Sequence, residues 1–117
     1  MGIQRIGVTK RWSDAVLHGG TAYFVEVADD PQQSIRGQVT QVLNQIDSRL
    51  AIIGSDRTRL LQVQIFLSDL AEGAILNELW DAWVPAGHAP ARACVQAGLA
   101  PGYQVEMVIT AALLNPA

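Results

Sequence analysis

Apolar positions recur along this chain with two different periods, and the switches between them divide it into elements. Ile3, Ile6 and Val8 open a short strand that Ala15–Leu17 continue towards a turn at His18, Gly19 and Gly20, where glycine readily takes positive φ. Thr21–Val27 has the β-branched and aromatic content of a second strand, so the N-terminal segment predicts a hairpin. Asp29, Asp30 and Pro31 then have the form of a helix start, with Asp30 as cap. Apolar residues follow at Ile35, Val39, Val42, Leu43, Ile46, Leu50 and Ile53. That helical spacing predicts a long amphipathic helix stopped by Gly54, with Gln32, Gln33, Arg36, Gln41 and Asp47 on its polar side.

The period of two returns at Leu61, Val63, Ile65 and Leu67, a strand ended by Ser68 and Asp69. Ile75, Leu76, Leu79, Trp80 and Trp83 restore helical spacing until Pro85 and Gly87. Two last strands, Ala91–Gln96 and Tyr103–Ala112, are joined by a short loop containing Gly98, Pro101 and Gly102. Two helices cannot cover both faces of a sheet of five or six strands, so they are expected on one face. The other face is left bare and apolar, and a second copy of the same chain is the simplest cover for it.

Composition narrows the partners. The chain has 117 residues, half of them hydrophobic, which suits one domain spanning residues 1–117. Its formal net charge is -3, with one lysine, Lys10, and scattered arginines, so neither nucleic acid nor an anionic membrane finds a basic footprint. No stretch approaches the roughly 18 apolar residues of a membrane span. The first ten residues alternate apolar and polar and lack the apolar core of a signal peptide. A single cysteine, Cys94, provides no disulfide framework or zinc cluster, and the expected compartment is the cytoplasm. The chain has no Gly-rich phosphate loop, GxSxG elbow or HExxH motif, so nucleotide, serine-hydrolase and zinc-protease readings have no support.

The candidate chemistry lies in the last two strands. Arg92 is the only charge between Ala89 and Ala97, and Glu106 the only charge in the strand that follows. Alternation places Arg92, Cys94 and Gln96 on one face of their strand, and Gln104, Glu106, Val108 and Thr110 on one face of the next. A hairpin between these strands sets Arg92 opposite Glu106, and a slip of one residue parts them. Arginine grips a carboxylate with a planar fork, and a nearby glutamate can orient water or act as a base. The alternative is a structural ion pair. Cys94 reads as a packing residue, His88 and His18 as loop and turn residues, Asn77 as a helix residue facing solvent, and Trp12, Trp80 and Trp83 as core or interface anchors. Glu26 interrupts its strand either as a solvent-facing residue or at the mouth of a site.

The segment His88–Ala112, HAPARACVQAGLAPGYQVEMVITAA, resembles the signature region of the RidA/YjgF family, also called the L-PSP endoribonuclease family. The stretches RWSDAVLHGGTAYF and AILNELWDAWVPAGHAP are similar to its YoaB-like branch, and the likeness spans essentially the whole chain. The resemblance implies an α+β fold like that of Bacillus chorismate mutase, a mixed sheet of about six strands with two helices on one face, assembled as a homotrimer with clefts between subunits. It also implies hydrolysis of small reactive enamine or imine acids to 2-oxo acids and ammonia, without cofactor or metal. By the same resemblance Arg92 anchors the substrate carboxylate and Glu106 positions the water, while Asn77 and Cys94 match the family's helix asparagine and cleft cysteine. Val25-Glu26 stands where active members commonly carry Ser-Gly, and Trp12 stands where a tyrosine is usual, which places both Glu26 and Trp12 among the expected substrate-binding residues. The alternative reading is a non-catalytic trimer binding a small metabolite or a partner protein in the same clefts. A ribonuclease role conflicts with the acidic balance.

Overall fold

The computed structural model describes residues 2–115. Its elements run β1 (Gln4–Ile6), β2 (Ala15–His18), β3 (Thr21–Val27), α1 (Ile35–Ile53), β4 (Leu60–Leu67), α2 (Gly73–Trp83), β5 (Ala91–Gln96) and β6 (Val105–Ala112). The strands form one mixed sheet in the order β1-β2-β3-β6-β4-β5. β4 and β5 run parallel, joined through α2, and the other neighbours are antiparallel. The mixed α+β architecture with two helices on one face is therefore as expected.

α1 forms where the apolar spacing places it. Val39, Val42, Leu43, Ile46 and Leu50 are buried along one side, and Gly54 ends the helix at φ 81°, a backbone conformation that suits glycine. Its start differs from expectation. Ser34, not Asp30, is the cap, accepting the Gly37 N–H at 3.2 Å. Asp30 instead closes the preceding turn, accepting from the Gln32 N–H at 3.0 Å and from Gln33 Nε2 at 3.1 Å. The Asp-Pro signal was thus a turn one step upstream of the helix.

The core lies between this helix layer and the sheet. Leu76, Trp80 and Trp83 of α2 join the α1 residues against Phe24, Val63, Ile65, Leu67, Met107 and Ile109. The opposite sheet face carries Tyr23, Val25 and Val95, each about half exposed. No helix among the described residues is long and apolar enough to cross a membrane.

Two further expectations are corrected. The N-terminal strand is two strands, β1 and β2, paired antiparallel around an excursion at residues 7–14. More consequentially, β5 and β6 do not form a hairpin. The chain leaves β5, turns through residues 97–104, and inserts β6 between β3 and β4. The Ser68 N–H donates to the Gln104 carbonyl at 3.1 Å and the Ala97 N–H to the Leu67 carbonyl at 3.0 Å, so β4 is held on both sides. The physical reason is visible in the side chains. Val105, Met107, Ile109 and Ala111 are all fully buried, which suits the sheet interior, whereas most β5 side chains are exposed and suit an edge.

Candidate functional site

The expected site residues fall into two groups on opposite faces of the sheet. Arg92 pairs in register with Val63 and Cys94 with Ile65, and both of those β4 residues are buried beneath the helices. Arg92 and Cys94 therefore lie on the helix-bearing face, at the edge strand. Glu106 stands opposite Phe66 and Val27 on the bare face. With β4 between their strands and their β4 partners, Val63 and Phe66, three residues apart, Arg92 and Glu106 are about 14 Å apart in the sheet before their opposite directions are counted. They form no ion pair within the chain, so the structural-pair reading does not hold for a single copy.

The Arg92 group is built by α2. Asn77 and Trp80 are three residues apart and so share a helix face. Arg92 NH1 donates to Asn77 Oδ1 at 3.0 Å, and the guanidinium carbon lies 5.5 Å from the centroid of the Trp80 ring. The ring face favours the cation and the amide fixes one end of the fork. Arg92 is exposed rather than buried, and its remaining N–H donors are free to meet a ligand. Asn77, expected to face solvent, is exposed yet engaged. Cys94 is half-buried, and burial pushes its thiol above the ordinary value although the nearby Arg92 charge opposes this. It is a weak nucleophile in this setting.

The second group surrounds a cleft of about 700 Å³ at the end of β3 and the start of β6, lined in part by Trp12, Val25, Glu26 and Glu106 and, from α1, by Gln45 and Arg49. The excursion between β1 and β2 delivers Trp12. Gly7 turns the chain at φ 64°, a conformation L side chains rarely adopt, and a Cβ there would also crowd the Asp14 Cβ at 2.9 Å, so glycine is strongly favoured. The Thr9 N–H donates to the Trp12 carbonyl at 2.7 Å, and Thr9 Oγ1 accepts from the Trp12 N–H at 3.1 Å. This cinched turn holds the Trp12 side out, 62% exposed. Trp12 is thus no core anchor, whereas Trp80 and Trp83 are.

Glu26 is neither solvent-facing nor free. It pairs in register with Met107, which turns it towards the helices. Gln45 Nε2 donates to Glu26 Oε1 at 3.0 Å and to the Val27 carbonyl at 2.7 Å. Arg49 Nε lies 4.0 Å from Glu26 Oε2, and Arg49 NH2 lies 4.0 Å from Asp14 Oδ2. Burial raises the Glu26 carboxyl above its ordinary value, outweighing the Gln45 hydrogen bond and the Arg49 charge that pull it down. Arg49 Nε is itself buried without a hydrogen-bond partner.

Gln45, Arg49 and Asp14 were not foreseen as site residues. Gln45 and Arg49 sit four apart on α1, but nothing in their spacing reveals that β3 ends beside them. His88 stays in an exposed loop, its ring Nδ1 3.0 Å from the Ala86 carbonyl. Among the described residues no group of three or more His, Cys, Asp or Glu side chains is placed to hold a metal ion.

This geometry has close counterparts. A family described as Endoribonuclease L-PSP matches residues 2–113. The RutC family protein YoaB of Escherichia coli is 45% identical over 114 residues, covering 97% of this chain and all of that one. A member of the YjgF protein family from Neisseria meningitidis superposes with a TM-score of 0.93 at 42% identity, covering 98% of each chain. An uncharacterized protein from Pseudomonas aeruginosa gives a TM-score of 0.92 at 45% identity, covering 96% of this chain and 99% of that one. With the family match running almost end to end and the fold shared throughout, the chain belongs to the RidA/YjgF, or L-PSP endoribonuclease, family, in its YoaB-like branch.

Proposed function

We propose that this protein is a hydrolase that deaminates small reactive enamine or imine acids to 2-oxo acids and ammonia, in clefts formed between the subunits of a homotrimer. One observation carries the reading: a partly satisfied arginine fork and a cleft-lining glutamate lie on opposite faces of one sheet, where they can serve a single small molecule only if two copies meet. The half-exposed Tyr23, Val25 and Val95 give such an assembly an apolar face to bury.

In that assembly Arg92 of one subunit binds the substrate carboxylate, with Asn77 and Trp80 fixing its orientation and Cys94 packing beside it. Glu106 of the next subunit accepts a proton from water as the oxygen attacks the C=N carbon. That proton passes from Glu106 to nitrogen to give the neutral carbinolamine; its hydroxyl proton is then transferred to nitrogen through Glu106 as the C–N bond breaks, so ammonia leaves and the C=O of the 2-oxo acid remains. An enamine first takes up a proton at carbon and loses one from nitrogen to become the imine. Water is the only co-reactant, and Trp12 walls the cleft against bulk solvent.

The test generates imines in situ with an amino-acid oxidase and follows 2-oxo acid release. The parent accelerates release, and Arg92→Ala loses about 10- to 100-fold in kcat/KM, the worth of a charge-assisted hydrogen bond or pair. Mixing matters more. Arg92→Ala and Glu106→Gln, each impaired alone, should regain about one quarter of parental activity when co-assembled in equal amounts, because that share of clefts receives both native residues. No recovery sinks the intersubunit site. Sedimentation equilibrium should return three times the 12.6 kDa chain mass.

A second reading, a non-catalytic trimer that binds a small metabolite or partner protein, is favoured by one feature: Glu26 replaces the permissive backbone position that active members carry at the cleft. A parent without hydrolysis whose Glu26→Gly variant gains it would select this reading.

A further inference from the structure

The cleft around Trp12 and Glu106 is lopsided in charge. Its lining brings together the carboxylates of Asp14, Glu26, Asp29 and Glu106, and Arg49 is the one cation among them. Arg49 lies 4.0 Å from Asp14 and 4.0 Å from Glu26, so its single charge is already partly offset by two of the four carboxylates and the lining stays net negative. Glu26 is the most sheltered of the paired carboxylates. Its side chain is 14% exposed against 46% for Asp14, so its field is the less screened by water and salt. Gln45 holds it in place by donating to Oε1 at 3.0 Å and to the Val27 carbonyl at 2.7 Å. Trp12 adds an exposed aromatic face, which attracts cations and tolerates neutral apolar groups.

We propose that this wall reads the substrate's side chain by charge: it accepts neutral and cationic side chains and rejects anionic ones, with Glu26 as the specificity-determining residue. The inference rests on the cleft being where the small acid binds. The substrate carboxylate is met by Arg92 from the other subunit, so the side chain extends along the wall that carries Glu26. A second carboxylate there meets four carboxylates against one guanidinium, a net repulsion. A guanidinium or ammonium meets complementary charge and the Trp12 ring.

The experiment has a binding arm and a catalytic arm. Isothermal titration measures the 2-oxo acids of norvaline, glutamate and arginine against the assembled protein and against Glu26→Gln. That variant keeps an oxygen for Gln45 Nε2 while removing the charge. The parent should bind the glutamate-derived acid about tenfold or more weakly than the norvaline-derived one, and Glu26→Gln should close most of that gap. The arginine-derived acid should bind at least as well as the norvaline-derived one. The catalytic arm compares kcat/KM for the three imines made by oxidases. Charge-ranked binding without hydrolysis supports this inference while overturning the deaminase reading. Hydrolysis of all three imines with equal kcat/KM overturns this inference and leaves the deaminase reading intact. Glutamate-derived acid bound as tightly as the neutral one, a gap unchanged in Glu26→Gln, or no binding of any of the three overturns the inference.

Discussion

Replacing Gln38 with leucine should cost more stability than any of the surface ion pairs in this protein. Gln38 lies on α1 and is fully buried. Its Nε2 donates to the carbonyls of Pro31 and Gln33 at 3.1 Å and of Gly102 at 3.0 Å, and its Oε1 accepts the Gln104 N–H at 2.9 Å. One side chain thus ties the loop before α1 to the loop before β6, two residues from Glu106. Leucine fills the space but offers no partner. The Gln33 carbonyl keeps a bond from Gln104 Nε2 at 3.3 Å, so it is not orphaned. The Gln104 N–H and the Pro31 and Gly102 carbonyls remain. An unpaired buried group costs about 1–3 kcal/mol, the carbonyls at the low end because water reaches loops, and the added apolar surface returns about 1 kcal/mol. The net is about 3 kcal/mol, or roughly a 10 °C fall in Tm for a domain of this size. Circular dichroism melts at equal protomer concentration measure it, since assembly makes Tm concentration-dependent. Gln38→Glu provides the control. It keeps the acceptor but sets a carboxylate against three carbonyls, so it should be worse than leucine at neutral pH and recover on acidification. A Gln38→Leu protein within about 0.5 kcal/mol of the parent would refute the argument, because that change is typical of substitutions away from any special contact.

Two other predictions concern charges held by α1. Because burial raises the Glu26 carboxyl above its ordinary 4.5, the folded state holds that proton more tightly than the unfolded chain. Stability from this group is therefore fully present below pH 4.5 and lost as pH rises through the raised value. Glu26→Gln should then be more stable than the parent at neutral pH, with the difference closing in acid; urea titrations at several pH values check this, and a pH-independent difference contradicts it. Asp47 accepts from Arg57 Nε and NH2 at 2.7 Å each and from Trp83 Nε1 at 3.2 Å, while Arg57 NH1 donates to the Trp83 carbonyl at 2.9 Å. The pair is part-exposed and so worth less than its geometry suggests, yet it clamps α1 to the end of α2, and a double-mutant cycle with Asp47→Ala and Arg57→Ala should give a coupling of about 1 kcal/mol. Additive losses would remove the clamp.

The elements that were legible in the sequence are those whose side chains repeat one simple relation. Seven apolar residues of α1 and the alternation of β4 and β6 each follow from a single buried face, and local spacing is enough to find them. What spacing cannot carry is which strand lies beside which. The loop at residues 97–104 is short enough for a hairpin, and only the burial of Val105, Met107, Ile109 and Ala111 on one side of a strand with neighbours at both edges explains why β6 passes over to β3. Gln38, Gln41 and Gln45 were hidden for a related reason. Read as polar-face residues or passed over, they instead supply partners to the loop after β3, Gln41 accepting the Asp30 N–H at 3.0 Å and Gln45 the Asp29 N–H at 3.0 Å. A glutamine that satisfies a loop backbone looks, in sequence, like one that faces water. The resemblance named Asn77 and Arg92 separately as site residues, but the contact between them was not legible, since helix, loop and strand lie between them.

The placement of β6 has a consequence for how such a site can vary. Had β5 and β6 formed a hairpin, Arg92 and Glu106 would have neutralised each other as cross-strand neighbours, and a ligand would have had to compete with that pair. With β4 between them, the cation is held by α2 through Asn77 and Trp80, while Glu26, which lines the same cleft as Glu106, is held by α1 through Gln45 and Arg49. Neither group quenches the other within the chain. On the proposed reading, assembly brings the two together only where substrate sits, so the common feature of every substrate, its carboxylate, is met by one subunit's α2 and β5. The variable feature, its side chain, is met by the other subunit's α1 and the β1–β2 excursion. Substitutions at Asn77 or Trp80 should then change affinity alike for all substrates, whereas those at Trp12, Glu26 or Arg49 should change the ranking among them.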